Sequence, residues 1–214
     1  MRQVLDIYKE YKIMPSLQMH MLRVAAVASI LCDNLTVPIN KEEMVTACLL
    51  HDIGNIIKFD MTIFPDFFKP EGVAYWQAVK DEFIKKYGND EHKASVEIVK
   101  ELGCNERVIE IVDSIDFSNF YRNRDSENMS FKVATYADAL VGPYGVVSYE
   151  ERMEDSKKRY AAVNKGREVE RARLVECGAE MGRQVFSHCK IKPEDITDEA
   201  VAPIIEELKN FVIK

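Results

Sequence analysis

Helical periodicity runs along almost the whole chain, and the period-two alternation that marks a half-buried strand is nearly absent. That pattern removes sheet-based architectures and leaves helices that must bury their apolar stripes against one another. A short first helix is expected over about Val4 to Lys12, ending before Pro15, which disfavours helix in the residue ahead of it. Ser16 can cap a second helix with Leu17, Met21, Val24, Ala25, Ala28 and Leu31 on one face. Asn40 followed by Glu43 has the form of a capping box for a third helix through Met44, Ala47, Cys48 and Leu50. Further helices are expected across "GVAYWQAVKDEFIKKYG", from about Asp90 to Leu102 with Gly103 closing it, over 105–113, over 117–122, and from about Phe131 to Val141, where "GPYG" breaks it. "KFDMTIFPDFFKPEG" is too aromatic for a disordered linker and reads as a packed loop. Two charge-laced helices and a last one near 198–212 complete an all-α chain, in which "EERMEDSKKRY" reads as a solvated helix face.

The 214 residues suffice for one good core, so residues 1–145 are expected to form one domain, with 146–214 as a C-terminal helical extension on the same core. A net charge of −7 argues against broad binding of nucleic-acid polymers or anionic membranes. The most apolar run, "LRVAAVASILC", is about half the roughly 20 residues of a membrane span. The opening "MRQVLDIYKEYK" mixes charge signs and lacks the apolar core of a signal peptide. The five cysteines, Cys32, Cys48, Cys104, Cys177 and Cys189, are odd in number and contain no CxxC pair, as expected of reduced thiols in a cytosolic protein.

The stretch "ACLLHDIGNIIKFD" places adjacent His51 and Asp52 where an apolar helix stops. Read locally, this is a helix C-terminus: a late-turn His suits the dipole and Gly54 can take a left-handed cap. Read chemically, it is half of a metal site. Only four histidines exist, and His20 sits in the second helix. Asp138 lies in the apolar segment "KVATYADALVG", where an unpaired carboxylate would be costly. Two imidazoles and two carboxylates form a mixed nitrogen and oxygen set suited to one divalent ion: Mn²⁺, Fe²⁺, Co²⁺, Ni²⁺ or Zn²⁺, with Mg²⁺ also admitted. Four protein ligands on an octahedral ion leave two positions for water and a substrate oxygen.

Taken in order, "HMLRVA", "LLHDIG" and "YADAL" resemble the HD superfamily of metal-dependent phosphohydrolases, over about residues 16–142. The resemblance implies an HD-domain helical bundle and assigns His20, His51, Asp52 and Asp138 as metal ligands. His92, in "NDEHKASVEIVKELG", also resembles a family element that occurs in members with two metals or extra phosphate contacts. Those members usually carry another His after the following helix; here that region reads "EIVDSIDFSN". One metal is therefore expected, with His92 beside the substrate phosphate or acting as proton donor.

Family members that act as 5′-deoxynucleotidases commonly have Glu three residues after the doublet's Asp, where this chain has Asn55, so that subclass is not supported. Lys58 lies one turn later. Arg23, three residues after His20, is expected on the same helix face and within reach of a phosphate oxygen; Lys93, Arg122 and Arg124 are weaker candidates. The expected activity is hydrolysis of a nucleotide or another small phosphate ester. Asp52 would bridge metal and water, Arg23 and Lys58 would neutralise phosphoryl charge, and His92 would protonate the leaving oxygen. A homodimer is compatible with this reading. A catalytically silent metal or nucleotide sensor and an iron-dependent oxygenase are the alternatives; the latter resembles members with a fuller ligand set. His188, in "VFSHCKI", falls outside the resemblance and is expected to be structural.

Overall fold

In the computed structural model, which describes residues 1–62, 65–159, 161 and 165–214, five successive residues from Val24 to Ala28 have no exposed surface. A helix buried at five consecutive positions is covered on every side, so α2 (Pro15–Asn34) lies inside the structure rather than on it. α1 (Val4–Glu10) precedes α2, and α3 (Lys41–Leu50) packs along it. α2 spans 20 residues with a mean hydropathy of 1.2, long and apolar enough by those measures to cross a membrane. Here it is a core helix. It begins with Pro15 in the first helical turn, not with Ser16 as cap: the ring's fixed φ and missing N–H suit that position, and Met14 takes the cap.

α3 is capped as its sequence suggests, with the Asn40 side chain accepting from the Glu42 and Glu43 N–H groups at 3.1 and 3.2 Å. The second half of the box is not made. The Glu43 carboxylate instead accepts from the Asn105 side chain at 3.3 Å, and Asn105 is the cap of α6 (Glu106–Ser114). α4 (Val73–Tyr87) and α5 (Glu91–Glu101) follow the loop after α3, and Asp90 caps α5. The aromatic loop is packed: Phe68 is almost fully buried, and the Phe59 ring meets it edge-on at 6.0 Å. Residues 63 and 64 of that loop lie outside the described ones.

The segment expected as one helix over 117–122 is a 3₁₀ turn, Phe117–Asn119, followed by α7 (Phe120–Asp125). α8 (Met129–Asp138) ends three residues earlier than its apolar period suggests, so Asp138 is its last residue. The remaining helices are α9 (Tyr149–Arg159), α10 (Glu168–Ser187) and α11 (Asp198–Leu208). α10 packs on α7 and α8, and α11 packs on α2; Leu174, Cys177, Met181 and Val185 of α10 join the same apolar core as α2. α11 stops before 212 because the chain then pairs with its own beginning. β1 (Arg2–Gln3) and β2 (Val212–Ile213) form a short antiparallel ribbon with Arg2 opposite Ile213.

Gly54 does not take the left-handed conformation expected of a cap; its φ is −92°. It is required for closeness instead. A Cβ there would lie 2.7 Å from the Glu91 carbonyl oxygen and 2.8 Å from both the Ala94 Cβ and the Ser95 nitrogen. The Gly54 N–H donates to Ser95 Oγ at 3.0 Å, so the turn after α3 is fastened directly to α5. Because the obstructing atoms are mostly backbone, Gly54→Ala should destabilise the protein by about 1–3 kcal/mol in denaturant melts. A variant as stable as the wild type would contradict this packing.

Candidate metal centre

α3 delivers His51 to its C-terminal cap position, buried to 3% exposure. Its Nδ1–H donates to the Cys48 carbonyl, one turn back, at 2.8 Å. That bond sets the tautomer and leaves Nε2 as a bare lone pair. Nε2 is fully buried and has no hydrogen-bond partner among the described residues. Two carboxylate oxygens face it, Asp138 Oδ1 at 3.6 Å and Asp52 Oδ2 at 3.8 Å, both too long for hydrogen bonds.

α2 brings His20 from the opposite direction. Its Nε2 lies 3.0 Å from Asp138 Oδ1 and 3.5 Å from Asp52 Oδ2, and the two imidazole centroids are 5.4 Å apart. Ligand atoms of His20, His51 and Asp52 lie within 4.8 Å of one another, the one group with metal-ligand spacing among the described residues. Asp138 closes the set through its contacts with both imidazoles. Asp52 is aimed by a neighbour: the Asn55 side chain, in the 3₁₀ turn Asn55–Lys58, donates to Asp52 Oδ2 at 2.7 Å.

Charges respond to this crowding. Burial works to lower the pKa of His51, but the carboxylates of Asp52 and Asp138 outweigh it and hold the imidazole up to about 9. Burial works to raise the Asp138 carboxyl, and the imidazoles of His20 and His51 hold it well below the carboxylate range. The site therefore demands positive charge between its oxygens. A divalent ion supplies that charge while accepting the otherwise orphaned Nε2 lone pair, so the residues fit such an ion.

These ligands sit in a cleft of about 440 Å³ whose walls also include Lys58 and His92. Lys58 pairs with Glu91 at 3.0 Å. The His92 Nε2–H donates to the Asp113 carbonyl at 3.1 Å, with Asp113 Oδ1 3.5 Å away. Arg23 is not brought to this cleft. It lines a shallower neighbouring depression with Asp66, Lys69 and Tyr144. The cleft-lining strip of α2 runs from His20 back through Leu17 and Ser16, so a residue one turn further on lies past its edge. Lys93 pairs with Asp90, Arg122 with Asp113, and Arg124 with Asp125 and Glu180, and none of them lines the cleft. His188 closes α10, where its carbonyl accepts the Thr36 N–H.

Sequence reading missed three arginines in the cleft, Arg152, Arg159 and Arg171. For Arg152 and Arg159 the signal was present in "YEERMEDSKKR". Tyr149, Arg152, Met153, Ser156 and Arg159 follow the spacing of an inward helix stripe, and Tyr149 and Met153 are buried.

The family model of the HD domain matches residues 18–140, more than half of the chain, and the chain belongs to that family. Its members are generally metal-dependent phosphohydrolases. No curated protein matches the chain, and no solved structure does. Two expectations follow from the geometry. His51→Ala combined with Asp52→Ala should abolish the binding of one divalent ion per chain by elemental analysis; full occupancy in the double variant would remove the site. Because the metal-free His51 keeps its proton up to about 9, binding must displace it. Manganese affinity should therefore rise about tenfold per pH unit between roughly pH 6.5 and 8.5, and pH-independent affinity would contradict the assignment.

Proposed function

We propose that this chain hydrolyses small phosphate esters, with one divalent ion held by His20, His51, Asp52 and Asp138. The observation that carries the reading is the buried, unpartnered Nε2 of His51 facing two carboxylates in an open cleft. When bound, a divalent ion supplies Lewis acidity and a water of lowered pKa. Asp52, which accepts from Asn55 and is only partly buried, would hold the nucleophilic water as well as the ion.

His92 keeps its Nε2–H on the Asp113 carbonyl, so a proton passed to the leaving oxygen comes from Nδ1 of the protonated ring. Lys58 offsets the charge of its partner Glu91 on the cleft wall rather than acting as an isolated cation. A cleft of about 440 Å³ takes a small molecule and not a folded polymer. Phe59, Phe67 and Phe117 on its walls offer flat apolar surface of the kind a nucleoside base prefers, and a nucleotide is the substrate class favoured here.

The test is phosphate release from a panel of nucleotides and sugar phosphates, with each candidate ion added in turn. Asp52→Ala should abolish turnover. Asn55→Ala, which removes only the group that aims Asp52, should cost about 10- to 100-fold in activity or metal affinity. If the wild type released no phosphate with any of the ions, the hydrolase reading would be wrong.

A further inference from the structure

The extension contributes charge to a cleft whose metal ligands all come from residues 20–138. Arg152 and Arg159 reach it from α9 and Arg171 from α10. Arg159 is matched: its Nε donates to Asp155 Oδ2 at 2.7 Å. Arg152 is not matched in the same way. Its Nη1 lies 3.8 Å from that same oxygen, its side chain is only 18% exposed, and its Nε is buried with no hydrogen-bond partner among the described residues. Arg171 donates through Nη2 to two neutral acceptors, the Met153 carbonyl at 2.8 Å and Ser156 Oγ at 3.3 Å. Among the described residues, no carboxylate lies within ion-pair distance of it. Its guanidinium also stands 5.2 Å over the Phe117 ring, itself a cleft residue.

One carboxylate, Asp155, thus serves Arg152 and Arg159, while Arg171 lies close enough to Arg152 to feel its charge. Burial first, and Arg152 with it, pushes the Arg171 guanidinium down, against the weaker opposing pull of Tyr149 and Glu154. Semi-buried like charges persist where something opposes them, because an uncompensated charge away from water is costly. The surplus faces a cleft whose other charged wall is built to hold a phosphate through a metal. A guanidinium's fork of donors suits phosphate oxygens.

We propose that Arg152 and Arg171 form a second anion subsite, so that the substrate carries a further phosphate group besides the one that is hydrolysed. Nucleoside di- and triphosphates and bisphosphorylated small molecules have this chemistry, and nucleoside monophosphates do not. The inference deepens the phosphohydrolase reading and rests on it for the word substrate; the subsite itself stands on the arginines alone.

Calorimetric titration of tripolyphosphate into the metal-free full chain separates the two ideas. The wild type and the His51→Ala/Asp52→Ala variant should both bind it, and Arg152→Gln/Arg171→Gln should weaken binding at least tenfold. Failure of the hydrolase reading leaves this result untouched. No binding by the wild type, or full binding by the folded Gln variant, overturns the subsite. If that variant does not fold, Arg152→Lys/Arg171→Lys replaces it: the charge remains but the fork is lost, and affinity should still fall severalfold, whereas unchanged affinity overturns the subsite. In the metal-loaded enzyme, kcat/KM should favour a nucleoside triphosphate over its monophosphate at least tenfold. Equal values overturn the proposed substrate class.

Discussion

A bare imidazole lone pair, sealed between two carboxylates, is the constraint on which the arrangement depends. His51 spends its Nδ1–H on the Cys48 carbonyl inside its own helix end, and nothing among the described residues hydrogen-bonds to Nε2. Left alone, that corner combines an unsatisfied buried acceptor with carboxylates that must be neutralised. A proton resolves the conflict in one way, which is why His51 holds one up to about 9. A divalent ion resolves it more completely, because it also engages His20, Asp52 and Asp138.

The scaffold serves this corner by fixing three separately delivered groups. α2, covered on all sides from Val24 to Ala28, cannot slide without disturbing the core, so His20 is held by burial one turn and more away from itself. Asp138 stands at the end of α8, and its position follows from where that helix stops. The doublet is secured by the turn that follows it: Gly54 lies against the α5 backbone, and Ser95 accepts its N–H. The same contact ties the doublet to α5, the helix that carries His92 in its first turn, so both sides of the cleft share one rigid junction.

Much of this could be read from residue order. The all-α class follows from period alone, and His20, His51, Asp52 and Asp138 do converge, since an ordered set of two imidazoles and two carboxylates on apolar helices has few reasons to exist without a cation. What could not be read depends on distances between segments remote in sequence. Gly54 looked like a cap because a glycine after a helix usually is one; its reason is the α5 backbone, more than thirty residues on. Arg23 shares a helix with His20, but the cleft ends before it, and no spacing rule reports where a cavity stops. The inward stripe of α9 can be read from its spacing, but the cleft that Arg152 and Arg159 reach cannot, and nothing in the sequence around Arg171 of α10 marks it as a cleft residue.

The most direct measurement is anomalous diffraction at the absorption edge of manganese or zinc from crystals of the metal-loaded protein. The account predicts one strong peak per chain within about 2.0–2.2 Å of His20 Nε2 and His51 Nε2, with Asp52 and Asp138 oxygens completing the protein's share of the shell. A peak elsewhere with His51 Nε2 still unliganded, or no peak in a fully metal-loaded crystal, would contradict it.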